Sequence, residues 1–156
     1  MRVIDKIIKQ FVDYYSTINM QPPHLLDAIY HPDVIITDPL GRYYGLVKLK
    51  KALSPLVLKI KMHYLLTDEP LISDSSFAIT WTLYWSHPLL TLNKVEELNG
   101  CTYAYIYNGK VISQANYYDL GELLYENIPI LNFAIKKIKI NAISDNLDNV
   151  IDSDPG

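Results

Sequence analysis

The sequence predicts an α+β fold in which N-terminal helices lie within a curved antiparallel sheet and a C-terminal helix follows the sheet. Two observations support this prediction. Helical periodicity is confined to the two ends of the chain, and alternating strand patterns fill the middle. A strongly bent sheet with helices across its mouth forms a cone with an interior. The 156 residues, of which 49% are hydrophobic, suffice for one domain with a real core.

The chain begins with a predicted helix. Apolar residues between Ile4 and Ile18 recur at steps of three and four, which is the spacing of one helix face. Tyr15 falls near the centre of this stripe and Tyr14 on its flank. We therefore expect at least one of the two phenols to point inward.

The next segment predicts two short helices that flank a strand. The second helix starts at Pro22–Pro23 and ends at His31–Pro32, because the residue before a proline is disfavoured in a helix. A strand follows from Val34 to Asp38. Gly41 and Gly45 then predict a loop, and residues 46–53 predict a third helix that ends before the proline at position 55.

The middle of the chain predicts long antiparallel strands. Residues 57–67 form a candidate strand, and Ser76 to His87 alternate clearly, with Trp81 and Trp85 on one face. A strand over residues 95–107 and a return strand over 110–118 are joined at Asn108–Gly109, a strong hairpin signal. Alternation places Gln114, Asn116 and Tyr118 together on one face of the return strand.

The C-terminal part predicts a helix and a tail. Asp119 can cap a helix that continues to about residue 140. We place the domain at residues 1–141. Residues 142–156 contain four aspartates and no basic side chain, and we expect an acidic, disordered tail.

Composition argues against several classes of function. The net charge is −3 and no basic stripe is present, so we expect no nucleic-acid partner. Cys101 is the single cysteine, there is no secretory signal, and no apolar run is long enough for a membrane span. We therefore expect a cytoplasmic protein that does not bind membranes. The four histidines lack metal-ligand spacing and the glycines form no nucleotide fingerprint, so we expect neither a metal nor a cofactor.

The corner Asp38-Pro39-Leu40-Gly41 carries the main chemical candidate. Asp38 ends a strand at the rim of the predicted interior, and Tyr14 or Tyr15 could face the same interior. A carboxylate and a phenol that share an apolar cavity can move a proton on a small organic molecule. The alternative is that Asp38 only closes a turn before Pro39, which is common at such corners.

The order of elements resembles the NTF2-like superfamily, which includes ketosteroid isomerases, SnoaL-type polyketide cyclases and limonene epoxide hydrolases. The resemblance covers about residues 5–140 and rests on four segments. They are Asp38-Pro39-Leu40-Gly41 with Gly45, the middle segment Trp81 to Pro88, the run Asn108 to Asp119, and the C-terminal Tyr117 to Pro129. The nearest likeness is to bacterial SnoaL-like proteins of unassigned function. It implies an NTF2-like, cystatin-like cone, but not one activity, because this fold hosts many.

The resemblance also implies roles for individual residues. Asp38 falls on the position of the general base in ketosteroid isomerases, and Tyr14 or Tyr15 falls near the phenol of the oxyanion hole. A second donor, an acid in the family, falls near Cys101 or Tyr103, which are not acids. The pocket expected from these matches and from strand alternation is lined by the following side chains: Trp81, Trp85, Cys101, Tyr103, Gln114, Asn116 and Tyr118.

Two hypotheses about function follow. In the first, the protein binds a small apolar organic molecule and acts as a cofactor-independent isomerase, cyclase or hydrolase with Asp38 as base. In the second, it is a non-catalytic ligand-binding or dimerisation module with a degenerate site. We also expect a homodimer through the outer sheet face, which light scattering would test. The residues expected on that face are Thr80, Thr82, Tyr84 and Ser86.

Overall fold

One curved, mixed sheet of seven strands surrounds the N-terminal helix in this computed structural model, which describes residues 1–124. The α+β class predicted from the sequence is confirmed. The later part of the predicted C-terminal helix, the domain limit at residue 141 and the acidic tail over 142–156 lie outside the described residues.

The helices and strands follow the predicted order. The helices are α1 (Val3–Ser16), α2 (Leu26–Ile29), α3 (Leu46–Val57) and α4 (Leu120–Leu124), with 3-10 turns at Ile18–Met20 and Pro23–Leu25. The strands are β1 (Tyr30–Asp38), β2 (Gly41–Tyr44), β3 (Met62–Thr67), β4 (Leu71–Ile72), β5 (Ser76–Ser86), β6 (Glu96–Tyr107) and β7 (Lys110–Tyr118).

The strands pair in the order β2-β1-β7-β6-β5-β3, and β4 pairs with β5 beside β3. Every pair is antiparallel except β1 with β7, which run parallel. The hairpin between β6 and β7 turns at Asn108 and Gly109, which have φ values of 50° and 72° as a type I′ turn requires. This turn was predicted. The parallel pairing of β1 with β7 was not predicted, because the residue pattern of a strand does not determine which strand it pairs with.

Two predictions for residues 30–45 are wrong. Pro32 lies inside β1 rather than at a helix end, and the pairing of β1 with β7 is irregular between Tyr30 and Ile35. A proline, which lacks an N–H donor, is tolerated where the ladder is interrupted. Residues 41–44 form β2 instead of a loop, and the pairing of Asp38 with Gly41 closes a tight hairpin.

The third helix is longer than predicted. It continues through Pro55 to Val57, and the Leu58 N–H still donates to the Ser54 carbonyl at 3.2 Å. Proline removes one hydrogen bond from the last turn, where the loss is more easily absorbed than in the helix interior. As a result β3 begins at Met62, five residues later than the predicted strand.

The core lies between α1 and the inner face of the sheet. The predicted stripe of α1 is buried, and its Phe11 ring contacts Phe77 of β5 with ring centroids 5.6 Å apart. Tyr30, Val34 and Val111 are completely buried where β1 meets β7. Burial of this apolar area is the main contribution to stability.

The outer face of β5 partly matches the surface predicted for dimerisation. Thr80 is exposed, and the Tyr84 ring stacks on that of Tyr64 at 6.4 Å between centroids. Ser86 is buried, so it cannot contribute to an exposed face. The homodimer itself stays a prediction.

A buried histidine organises the loop between β5 and β6. The His87 Nδ1 accepts hydrogen bonds from the backbone N–H groups of Leu89 and Leu90, each at 3.1 Å. The backbone N–H of His87 in turn donates to the Thr91 hydroxyl at 2.9 Å. Protonation of Nδ1 would replace an acceptor with a donor and break both backbone contacts. Burial, and after it the positive charge of Lys59, lowers the pKa of His87.

This arrangement predicts acid sensitivity. Because the folded state lowers the pKa of His87, stability is complete above the usual value of 6.5 and is lost as the pH falls below it. His87→Asn keeps an acceptor at the position of Nδ1 but does not titrate. We expect thermal unfolding to show a smaller fall in melting temperature between about pH 7.5 and about pH 5.5 in this variant than in the parent. If the melting temperature falls by the same amount in the variant and in the parent, the acid sensitivity arises at another residue. His63 is the next candidate, because burial also lowers its pKa.

Candidate functional site

A cavity of about 280 Å³ lies between the inner face of the sheet and helices α1 and α3. Most of its wall is apolar or aromatic, with contributions such as Phe11, Leu49, Leu65 and Leu83. Polar side chains are few in this wall. A mainly apolar pocket with a small number of polar groups is the usual form of a binding site for small organic molecules.

Strand alternation places five of the seven expected pocket residues in this wall. They are Trp81, Trp85, Gln114, Asn116 and Tyr118. The expected placement of Cys101 and Tyr103 is corrected, because these residues lie on the opposite face of β6. Thr102, between them in sequence, is the residue that lines the cavity.

A chain of hydrogen bonds, here called the polar seam, crosses the wall. Its first half begins at the indole Nε1 of Trp81, which donates to the Thr102 hydroxyl at 3.0 Å. Thr102 donates to Asn116 Oδ1 at 2.8 Å, and Gln114 Nε2 donates to the same oxygen at 3.0 Å. Asn116 is therefore held through its oxygen. Its Nδ2 donates to no acceptor among residues 1–124, so it can donate to a ligand.

The second half of the seam joins the sheet to α1. The Tyr30 hydroxyl donates to Gln114 Oε1 at 2.6 Å, and the Tyr15 and Tyr30 hydroxyls are 2.7 Å apart. A phenol has one proton, and Tyr30 gives its proton to Gln114. Tyr15 must therefore be the donor to Tyr30, which leaves only the lone pairs of its oxygen for other partners. Burial raises the pKa of both phenols, so they stay neutral.

The two candidate tyrosines of α1 have different positions. Tyr15 lines the cavity, whereas Tyr14 is buried against its neighbours without lining it. Their rings meet edge to face with centroids 5.3 Å apart, and burial raises the pKa of Tyr14. Of the two, Tyr15 is the phenol that a ligand could contact.

Asp38 both closes a turn and borders the cavity. Its Oδ1 accepts hydrogen bonds from the backbone N–H groups of Leu40 at 2.8 Å and Gly41 at 3.1 Å. This is the turn geometry expected in the alternative hypothesis. The side chain is nevertheless half-buried and forms part of the cavity wall. Its second oxygen has no hydrogen bond to any residue that the structure describes.

Two further phenols, Tyr43 and Tyr118, lie near this carboxylate in the cavity wall. Burial and, after it, the negative charge of Asp38 raise the pKa of each. Tyr118 was expected in the pocket. Tyr43 was missed because its segment was predicted as a loop, although the pairing of Ile36 with Tyr43 gives β2 an inward side.

His63 is at the other side of the cavity from Asp38. It lies on β3, which is separated from β1 by β7, β6 and β5. Its Nδ1 is buried and has no hydrogen-bond partner among the described residues. Burial lowers the pKa of His63, against a smaller opposite effect of the Ser16 carbonyl, so the ring is neutral near pH 7.

Two features are absent from residues 1–124. No group of three or more histidine, cysteine, aspartate or glutamate side chains is arranged to hold a metal ion. No helix in this part of the chain is long and apolar enough to cross a membrane.

The direction of hydrogen-bond donation along the polar seam predicts that two similar substitutions lower the free energy of unfolding by different amounts. Tyr30→Phe removes the donor to Gln114 and the acceptor for Tyr15, so buried groups lose partners at a cost of about 1–3 kcal/mol. Tyr15→Phe removes only the terminal hydroxyl and leaves Tyr30 bonded to Gln114, at a cost of about 0.5–1.5 kcal/mol. Urea unfolding of the two variants measures the difference. Equal costs, or a larger cost for Tyr15→Phe, would contradict this direction of donation.

Comparison with known proteins identifies the fold. No family model and no curated protein sequence matches the chain. Solved structures do match it, among them an NTF2-like protein of unknown function from Burkholderia pseudomallei, with a TM-score of 0.66 and 17% identity over 80% of this chain and 99% of that one. A provisionally assigned SnoaL-like polyketide cyclase from Jannaschia sp. CCS1 matches with a TM-score of 0.67 and 9% identity, over 80% and 94% of the two chains.

A third match is a protein with a ketosteroid isomerase-like fold from Catenulispora acidiphila, solved in complex with trimethylamine. It gives a TM-score of 0.65 and 13% identity over 78% of this chain and 92% of that one. Identities this low establish common architecture and carry no activity or ligand from one protein to the other. The chain therefore has the NTF2-like fold that is shared by SnoaL-like and ketosteroid isomerase-like proteins.

Proposed function

We propose that this protein binds a small, predominantly apolar organic molecule in the cavity between the sheet and helices α1 and α3. The observation that supports the proposal is the cavity itself, whose wall is mostly apolar and carries a few convergent polar groups. Its volume of about 280 Å³ is near the lower end of the range for ligand pockets, roughly 300–1,000 Å³, so the ligand is small.

The polar seam would orient such a ligand. Asn116 offers N–H donors through Nδ2, and Tyr15 offers only oxygen lone pairs. A ligand hydroxyl or carbonyl group placed against this wall can accept from Asn116, and a hydroxyl can also donate to Tyr15. Because the seam is internally bonded, it can recognise a polar group without a large change of its own structure.

Binding can be tested with N-phenyl-1-naphthylamine, a neutral probe whose fluorescence rises in an apolar environment. We expect the parent protein to enhance its emission with saturation at one probe per chain. Leu65→Trp fills the cavity and should abolish the enhancement, because overpacking leaves no space for the probe. The matched control is Leu66→Trp, one residue along β3, where the side chain is 46% exposed.

The control variant should bind the probe as the parent does. Enhancement that survives in Leu65→Trp and disappears in Leu66→Trp would place probe binding on the outer face and would contradict the proposal.

A second candidate function is cofactor-independent proton transfer, as in an isomerase, cyclase or hydrolase. The observation that favours it is the free oxygen of Asp38 at the cavity wall, where it can act as a general base. The donor side is less complete. Tyr15 can stabilise developing negative charge only if its proton leaves Tyr30. Binding without catalysis therefore needs fewer assumptions about this site, and dimerisation through the outer face is compatible with either function.

If the protein catalyses proton transfer, it should exchange carbon-bound protons of a ketone with solvent. With 1-tetralone in D₂O, the parent protein should accelerate incorporation of deuterium next to the carbonyl group, as measured by NMR. Asp38→Asn keeps the turn-forming oxygen and removes the base, so it should abolish the acceleration and leave folding intact. The control is Asp33→Asn, on the same strand, with a side chain that is 88% exposed.

Acceleration that persists in Asp38→Asn would exclude Asp38 as the base. Absence of exchange in the parent protein would count against catalysis of this kind and would leave ligand binding unaffected.

A further inference from the structure

The charge of the cavity wall restricts what it can bind. Among the lining side chains of the described residues, Asp38 alone carries a formal charge at neutral pH, and no lysine or arginine lines the cavity. In a mostly apolar compartment a single negative charge acts over a longer range than in water. It repels an anionic ligand and attracts a cationic one.

Aromatic rings gather at the same end of the cavity as this charge. Trp81 and Tyr118 lie on strands that flank β6, and their ring centroids are 6.3 Å apart with the planes inclined by 54°. Tyr43 enters from β2. Tyr43 pairs with Ile36, two residues before Asp38 on β1. Thr37, next to Asp38, pairs with Ala115 on β7, the strand that ends at Tyr118.

Two constraints fix the Trp81 ring in this arrangement. The indole lies directly over Gly100, where an added Cβ would fall 2.3 Å from Cζ2 of the ring. The Nε1 atom is tied to the Thr102 hydroxyl, so the ring cannot turn about its long axis without losing that bond. Only glycine at position 100 leaves space for the indole, and the ring is held in place before any ligand arrives.

The Asp38 carboxylate is held equally firmly. Two backbone N–H groups fix Oδ1, and the second oxygen stays available at the cavity wall. A primary ammonium has three N–H donors and needs several acceptors when it leaves water. A tertiary or quaternary ammonium has one or none, and its charge can be met by a carboxylate together with aromatic rings.

We propose that the Asp38 end of the cavity binds an alkylated ammonium group between the carboxylate and the rings of Trp81, Tyr118 and Tyr43, with the apolar part of the ligand in the rest of the cavity. This inference rests on the proposed binding function and adds the class of ligand. A hydrated metal ion does not fit this site, since one carboxylate oxygen and apolar neighbours cannot replace its water shell.

The test uses two molecules of nearly the same shape. Phenyltrimethylammonium carries the charge, and tert-butylbenzene has a carbon atom in place of the nitrogen. By calorimetric titration we expect the cation to bind the parent protein at least tenfold more tightly. Asp38→Asn should bring the two affinities close to each other, while Asp33→Asn, which removes the same charge from an exposed position, should leave the preference unchanged.

A second pair of variants tests the aromatic contribution without altering the turn at Asp38. Tyr118→Phe keeps the ring and should retain the preference for the cation. Tyr118→Leu removes the ring and should reduce the preference by several-fold. Circular dichroism and thermal unfolding establish that each variant is folded before its affinity is compared.

The possible results separate this inference from the proposed function. If tert-butylbenzene binds as tightly as the cation, or if Asp38→Asn keeps the preference, the ammonium site is overturned and the apolar pocket stands. If N-phenyl-1-naphthylamine binds but neither test molecule does, the ammonium site is also overturned and the apolar pocket again stands. If none of the three binds, the pocket proposal fails and the ammonium site fails with it.

Discussion

The hydrogen bond from Tyr30 to Gln114 connects the parts of this structure that matter for function. Tyr30 is completely buried at the start of β1, Gln114 is buried on β7, and the bond crosses the one parallel strand pair of the described sheet. Through Tyr15 the same contact reaches α1. Because a buried polar group without a partner is costly, this contact fixes β1 and α1 relative to the sheet and so fixes one side of the cavity.

The same bond decides what the cavity can do chemically. A phenol at the position of Tyr15 could serve as a hydrogen-bond donor to a ligand, but here its proton is required by Tyr30. Asn116 is instead the seam residue with N–H groups to spare. Within the seam, the donor that faces the ligand is thus an amide, which can orient a bound molecule but cannot exchange a proton with it near pH 7.

The sequence predicted the parts of the fold where local pattern is strong. Alternation along β5 and β7 is regular, so Trp81, Trp85, Gln114, Asn116 and Tyr118 were assigned to the inner face without knowledge of the sheet order. The hairpin at Asn108–Gly109 was equally clear.

What the sequence did not predict depends on contacts between distant segments. Tyr30 was assigned to a helix because the proline two residues later favours a helix end, whereas pairing with Val111 draws it into β1. Cys101 and Tyr103 were assigned to the wrong face of β6, because the prediction was displaced by one residue along the strand. A resemblance placed the site near these residues, and only the pairing of β6 with β5 and β7 shows that Thr102 faces inward. Tyr43 was overlooked because the glycines at its ends suggested a loop.

The position of Asp38 resolves a conflict between stability and function. A carboxylate placed deep in an apolar cavity would pay a large desolvation cost, and it would tend to become protonated. At the end of β1 the side chain is only half-buried, and two backbone N–H groups stabilise one of its oxygens. The turn therefore holds the carboxylate in place at the edge of an apolar space. The hypotheses of a turn former and of a ligand-binding carboxylate are then compatible, because the bonds that close the turn also hold the negative charge where a ligand can meet it.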